Sequence, residues 1–255
     1  MKVTIVEAGQ FSAGPPQGKL APLGGSAARE AASVGAFIFD MDGTMVDSMP
    51  WHARTWIDFA QRHSIDIEPA ELMRRVTGAT GVECVRMLLG QDLPEDEALA
   101  LVHEKESLYR ELFGPRFTEI KGFKQFEAQA RKRGLKIGVG TAGDIYNLNF
   151  VLEHLALEVP PQAVARGDEG LPGKPDPAIF LAVAQRLQTD PAHCIVFEDS
   201  PYGIEAARRA GMRAVAICSG HSAAELAGPH VIAAVGDYTE LLNSNFLETH
   251  HAAKL

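Results

Sequence analysis

Two carboxylates stand two residues apart in Asp40-Met41-Asp42-Gly43-Thr44, directly after the apolar run Phe37-Ile38-Phe39. In an extended segment residues i and i+2 project to the same side, so both acids enter one small volume. Such a pair repels itself unless a cation neutralises it or one member keeps a proton, and Gly43 lets the chain turn sharply away behind it. The same aspartates could instead do no more than cap a turn, a common use of this residue in loops. A second acidic pair, Glu198-Asp199, follows the apolar run Cys194-Ile195-Val196-Phe197. On an exposed loop these acids would simply be solvated, but at the end of a buried strand they are placed to bind a hard divalent cation through oxygen. The natural joint reading is a magnesium site built from Asp40, the Asp42 backbone carbonyl, and Glu198 or Asp199.

Two further segments offer chemistry. Gly173-Lys174-Pro175-Asp176-Pro177 holds one lysine in a stretch restrained by two prolines. Beside acids, a pinned ammonium suits a phosphate; elsewhere it is a solvent-facing lysine before a helix. Gly138-Val139-Gly140-Thr141-Ala142-Gly143 matches the Gly-x-Gly-x-x-Gly spacing of dinucleotide sites. Its first glycine falls inside a strand, however, and no second nucleotide-binding half follows. The alternative is that Thr141 closes the strand and offers its hydroxyl, with nearby backbone N–H groups, to an anion at the helix start.

The elements that must position these groups follow from the apolar pattern. Short continuous runs recur at 37–39, 137–139, 194–197, 214–217 and 231–233. Runs of this kind fit strands buried on both faces of a parallel sheet covered by helices. Asp176-Pro177 and Ser200-Pro201 each put a capping side chain before a proline at the first helical position, so the fold class is α/β with helical crossovers. From 50 to 116 the strand signal stops, and helical patterns cover 51–62, 81–89 and 95–113. This reads as an inserted all-helical domain, with the turn residues Ser48-Met49-Pro50 and Gly114-Pro115-Arg116 as its hinges. The Trp51, Trp56 and Phe59 stripe has helical spacing and reads as the core of that insert. Residues 35–49 and 117–249 then make the catalytic core. Residues 1–34, rich in Gly, Ala, Ser and Pro, read as a flexible extension with a weak strand signal at 3–6, and 250–255 as a frayed tail.

Composition narrows the partners. With 46% hydrophobic and 22% charged residues in 255, disorder, collagen and coiled coil are excluded. A net charge of −9 is repelled by phosphate backbones and anionic lipid, so neither nucleic acid nor a membrane is an expected partner. No run approaches the roughly 20 apolar residues of a membrane span, and the N-terminus lacks a secretory pattern. Two of the three cysteines (Cys84, Cys194, Cys218) lie in apolar runs, as buried thiols of a reducing compartment would. The expected location is the cytoplasm, with a monomer or weak homo-oligomer as the assembly.

Taken in order, Asp40-x-Asp42-Gly43-Thr44, Thr141, Lys174 and Glu198-Asp199 resemble the four motifs of the haloacid dehalogenase-like hydrolase superfamily, across about residues 36 to 240. The run Phe197-Glu198-Asp199-Ser200-Pro201-x-Gly203-Ile204-x-Ala206-Ala207-x-x-Ala210-Gly211-Met212 is similar to its β-phosphoglucomutase-like branch, and the helical insert looks like the C1 cap of that branch. The resemblance implies a Rossmann-like parallel-sheet core in three α/β/α layers with a mobile all-helical cap. It implies that Asp40 is a nucleophile forming an aspartyl-phosphate, and that Asp42 is first general acid, then base. It also implies magnesium held by Asp40, Asp42, Glu198 and Asp199, with phosphate oxygens bound by Gly43, Thr44, Thr141, Ala142 and Lys174. His52 falls where the branch carries a hinge histidine, although it reads equally as a helix-surface histidine beside Trp51 and Trp56. Arg75, Thr77 and Thr80 surround the implied cap loop and are candidate substrate contacts.

Departures from the branch separate its activities. The second aspartate argues against a dehalogenase, because a departing halide needs no acid. Mutases of the branch hold a second phosphate with a cap arginine and a serine-lysine pair, whereas this chain has Thr77-Gly78-Ala79-Thr80-Gly81 and Gly143-Asp144 at those places. A carboxylate there faces a doubly phosphorylated intermediate with the wrong sign. The expected function is therefore a magnesium-dependent phosphomonoesterase of small phosphorylated metabolites, sugar phosphates foremost. A β-phosphoglucomutase-type mutase is the alternative, and a non-catalytic sensor of phosphorylated metabolites a further one.

Overall fold

The structure, a computed structural model, describes residues 34–76, 80–90 and 92–251. Thr77, most of the N-terminal extension with its expected strand at 3–6, and the last four residues lie outside the described residues.

The chain begins with β1 (Ala36–Phe39) and then enters four helices, α1 (Met49–Arg62), α2 (Pro69–Val76), α3 (Gly81–Leu89) and α4 (Glu95–Phe113). It returns through α5 (Phe123–Lys132), β2 (Lys136–Thr141), α6 (Ile145–Leu155), β3 (Ala163–Arg166), α7 (Ala178–Arg186), β4 (Cys194–Glu198) and α8 (Pro201–Arg209). The last elements are β5 (Arg213–Ile217), β6 (Val231–Val235), α9 (Tyr238–Leu242) and α10 (Phe246–Thr249). Among the described residues the strands form one six-stranded sheet in the order β3-β2-β1-β4-β5-β6, with every neighbouring pair parallel.

Side-chain alternation builds the three layers. Phe37, Phe39, Ile137, Val139, Ile195 and Phe197 point to one face and pack with α5, α6, α9 and α10. Ile38, Cys194, Val196, Ala214 and Ala216 point to the other and pack with α7 and α8. Both faces must be apolar for this, which is why the central strands read as unbroken hydrophobic runs. Under the carboxyl ends, Phe39 stacks on Phe197 with ring centroids 4.6 Å apart. The helices between β1 and α5 have an apolar cluster of their own, including Trp56, Phe59, Leu72, Val85 and Leu88.

Several expectations need correction. The strand β3 and the helix α2 had no clear signal in the sequence: β3 is four residues long with only every second residue buried, as an edge strand allows. The run at 231–233 does form a strand, but β6 is an edge strand with partly exposed side chains, not one buried on both faces. Met49 and Pro50 lie in the first turn of α1, with Ser48 at its N-cap, so this edge is a helix start and not a turn. Pro177 occupies the N-cap of α7, and Asp176 accepts from the Ala178 N–H at 2.9 Å from one position earlier. The tryptophan stripe divides: Trp56 and Phe59 belong to the cluster of the helical insert, while Trp51 packs on Phe113 and the main core.

Candidate active site

Register brings the site residues together. Phe39 pairs with Phe197 on one side and Val139 on the other, and the Asp40 N–H continues the ladder by donating to the Phe197 carbonyl at 3.0 Å. Asp40 therefore stands at the carboxyl edge between Thr141 and Glu198, the usual ligand crevice of an open α/β sheet. The chain then folds back on itself, because the Met41 carbonyl accepts from the Met45 N–H at 2.8 Å and Met41 and Met45 are both buried. Gly43 makes this turn with φ +78°. A Cβ there would lie 2.2 Å from an Asp199 carboxylate oxygen, so glycine is required both by the backbone and by the close approach of the two loops. Ser219, which sequence reasoning missed, follows β5 at the same carboxyl edge and donates to the Gly43 carbonyl at 2.6 Å, pinning the turn.

Three buried carboxylates, Asp40, Glu198 and Asp199, offer oxygens that all lie within 4.8 Å of one another. Lys174 answers part of this charge, donating to Asp40 at 2.5 Å and to Glu198 at 2.6 Å. Glu198 also accepts from the Ser200 N–H at 2.6 Å and lies so close on the start of α8 that a Cβ on Gly203 would sit 1.8 Å from it. Burial, with repulsion from Glu198 and Asp42, pushes the Asp40 carboxyl up to about 8 in spite of Lys174. Burial and the charges of Glu198 and Asp40 likewise push Asp199 well above the usual carboxylate range. Lys174 is driven the other way from what burial favours: Asp40 and Glu198 hold it firmly protonated.

This set fits a divalent cation. Its donors are hard oxygens, one ammonium leaves an excess of negative charge, and the two most strained carboxyls, Asp40 and Asp199, are those a cation would return to the ionised form.

Asp42 lies in a different environment. Its Oδ1 accepts from Ser48 Oγ at 2.7 Å and lies 3.1 Å from His52 Nε2 and 3.5 Å from the Tyr109 hydroxyl. Burial alone would raise its pKa, but His52, Ser48 and the charge of Lys105 outweigh it and hold Asp42 below the usual range. Behind His52, Lys105 Nζ lies 2.7 Å from Nδ1 and donates to Glu106 at 2.8 Å. Glu106 accepts from Asn147 at 2.7 Å, and Asn147 accepts from Arg110 at 2.7 Å, which ties α4 to α6. Lys105, Glu106, Tyr109 and Asn147 were not singled out from sequence, and Ser48 was read only as a hinge residue. Lys105 had a signal: it falls in phase with Ala98, Tyr109 and Phe113, the buried residues of α4, a lysine in a core-facing register.

The remaining candidates divide. Thr141 is buried and its hydroxyl accepts from the Gly143 N–H at 2.9 Å, leaving its own proton for a ligand. Thr44 points to Asp199 at 3.5 Å. Ala142, Lys174 and Thr80 line one cavity of about 210 Å³ between the helical insert and the core, and Thr80 also caps α3. Arg75 is not brought to this cavity; it is exposed on α2 and pairs with Glu71 at 2.7 Å. Among the described residues no helix is long and apolar enough to cross a membrane.

Comparison with known proteins agrees with this geometry. The family model described as haloacid dehalogenase-like hydrolase matches residues 34–211. A fructose-1-phosphate phosphatase of Escherichia coli (strain K12) is 30% identical over 178 residues, 70% of this chain and 93% of that protein. A β-phosphoglucomutase of Bacillus subtilis (strain 168) is 29% identical over 191 residues, 72% of this chain and 84% of that protein. The solved structure of a family IA, variant 3 hydrolase from Entamoeba histolytica superposes with a TM-score of 0.75 at 26% identity, covering 85% of this chain and 99% of that one. With the sheet order, the acidic edge and the matched 34–211 segment in agreement, the chain belongs to the haloacid dehalogenase-like hydrolases.

Proposed function

We propose that the chain is a magnesium-dependent phosphatase of small phosphorylated carbohydrates that works through an aspartyl-phosphate on Asp40. The observation that carries this reading is the pairing of two aspartates in opposite environments. Asp40 is among carboxylates and one lysine, where it needs a cation to act as an anion. Asp42, two residues on, is held among proton donors. One is equipped to attack phosphorus and the other to move a proton.

In the first half-reaction an Asp40 oxygen attacks phosphorus as the ester P–O bond breaks, and the departing alkoxide takes a proton from Asp42. In the second, water attacks the same phosphorus, gives its proton to Asp42, and the bond to Asp40 breaks to release inorganic phosphate. The donors around Asp42 favour its ionised form, which serves the second step. For the first, the negative charge of an arriving phosphate raises the Asp42 pKa and supplies the protonated form. Lys174, the Thr141 hydroxyl and the N–H groups after Asp40 and Thr141 would hold the phosphoryl oxygens. Asp40, Asp199 and the Asp42 carbonyl would hold magnesium, with Glu198 fixed against Lys174 and α8 as their support. When bound, the ion supplies charge neutralisation between nucleophile and phosphate.

A mutase would need a cation for a second phosphate. Beyond Lys174, the charged groups lining the described cavity are Glu106, Asp144 and Asp168, with His103 and Tyr146 the remaining titratable side chains. The relative described as a fructose-1-phosphate phosphatase supports the carbohydrate class. The test is to follow free phosphate and isomerised sugar together over a panel of sugar phosphates, nucleotides and phosphorylated acids, with magnesium and with chelator. Metal-dependent phosphate release from sugar phosphates is expected; isomerisation outrunning release would overturn the reading.

A further inference from the structure

Of the residues that line the cavity, the phosphate chemistry uses Lys174 and Ala142. Others among them have a different character. Tyr146, in the first turn of α6, is 55% exposed and lines the cavity, while the next two residues, Asn147 and Leu148, are buried. From across the mouth His103 of α4 meets the Tyr146 ring edge-on, with centroids 5.4 Å apart and planes at 88°. Arg110 lies 5.8 Å from the same ring, and Leu99, 44% exposed, continues the apolar wall. A ring held in place by neighbours yet left open toward a phosphate site is a surface for the carbon skeleton attached to that phosphate. Its electron-rich face accepts the weakly positive C–H groups of a sugar, whereas the Asp144 carboxylate in the same cavity repels a second anionic group.

We infer that Tyr146, faced by His103 across the cavity mouth, is the specificity clamp for the leaving group, favouring monophosphates with an uncharged carbohydrate leaving group over bisphosphates. This rests on the phosphatase reading above. A Tyr146 contact that contributes to ground state and transition state alike acts on KM and leaves the chemical step to Asp40 and Asp42.

The experiment compares phosphate release from fructose 1-phosphate, fructose 1,6-bisphosphate and acetyl phosphate, the last having almost no leaving group to clamp. Tyr146→Ala is expected to raise KM for fructose 1-phosphate about tenfold and to lower its kcat/KM far more than that of acetyl phosphate. Tyr146→Phe, which keeps the ring, should recover most of that loss, and wild type should prefer the monophosphate to the bisphosphate. Equal losses on both small substrates would mean that the ring only braces Arg110 and α4, and would overturn the clamp. An unchanged KM for fructose 1-phosphate, or no preference for the monophosphate, would do the same. If wild type releases phosphate from acetyl phosphate but from neither sugar, the clamp fails while the aspartyl chemistry stands; if it releases none from any of the three, the phosphatase reading falls and the clamp with it.

Discussion

Lys105, buried inside the helical insert, sets the proton position on His52. An ammonium can only donate, so the 2.7 Å contact makes His52 Nδ1 the acceptor and leaves Nε2 as the N–H that faces Asp42 at 3.1 Å. Asp42, the proposed acid and base, is thus tied to a lysine on α4 through a histidine on α1.

Replacing that lysine should therefore cost turnover without touching substrate. Lys105→Met keeps the apolar stem but removes the donor. We expect kcat to fall roughly ten- to a hundredfold with KM little changed. Nitrogen-15 spectra of His52 should lose their Nε2–H preference; an intact preference would disprove the orienting role.

Substituting the aspartates separates their duties. Asp40→Asn should abolish turnover, and because burial and repulsion strain its carboxylate, the melting temperature in chelator should not drop. Asp42→Asn should lower kcat by roughly 10²–10⁴-fold, with phosphate release and melting curves as the checks. Retained activity in Asp40→Asn would exclude it as nucleophile.

Metal and pH are linked through the same cluster. The Asp40 pKa in the folded protein is raised to about 8, so between the usual aspartate value near 4 and 8 the native state binds more protons than the unfolded chain. Without metal, stability should therefore be greatest at the acid end of that window and fall as pH rises through it. Magnesium should remove much of this slope and raise the melting temperature near pH 8, where the carboxylates are ionised. Melting curves across pH 5–9, with magnesium and with chelator, measure both effects, and two parallel curves would contradict the metal assignment.

A single methyl group should disturb the lysine anchor. Gly203→Ala would put a Cβ 1.8 Å from Glu198 and force the carboxylate off the start of α8. A loss of about 1–3 kcal/mol is expected from overpacking, together with weaker phosphate binding as Lys174 loses its second partner. Denaturant titration and inhibition by inorganic phosphate give the two readouts.

The parallel sheet was legible because both its faces are apolar, which writes Phe37-Ile38-Phe39 and Cys194-Ile195-Val196-Phe197 as unbroken runs. The acids were legible because they sit directly after those runs. The edge strand β3 escapes this logic: it buries every second residue and needs no such run. Arg75 is not brought to the cavity, because a side chain four residues from Glu71 on one helix finds its partner locally.

By itself, then, the sequence determined the α/β class, the acidic edge and the residues at it, since strand ends and capped helix starts are local consequences of residue type. Only the tertiary structure decided how those residues differ from one another. Asp40 and Asp42 are chemically identical in the sequence and two positions apart. Parallel register places one beside Glu198, Asp199 and Lys174, and packing of α1 and α4 gives the other Ser48, His52 and Tyr109. Charge, burial and proton donors act over a few ångströms in space, and those neighbours come from segments up to about 160 residues away along the chain.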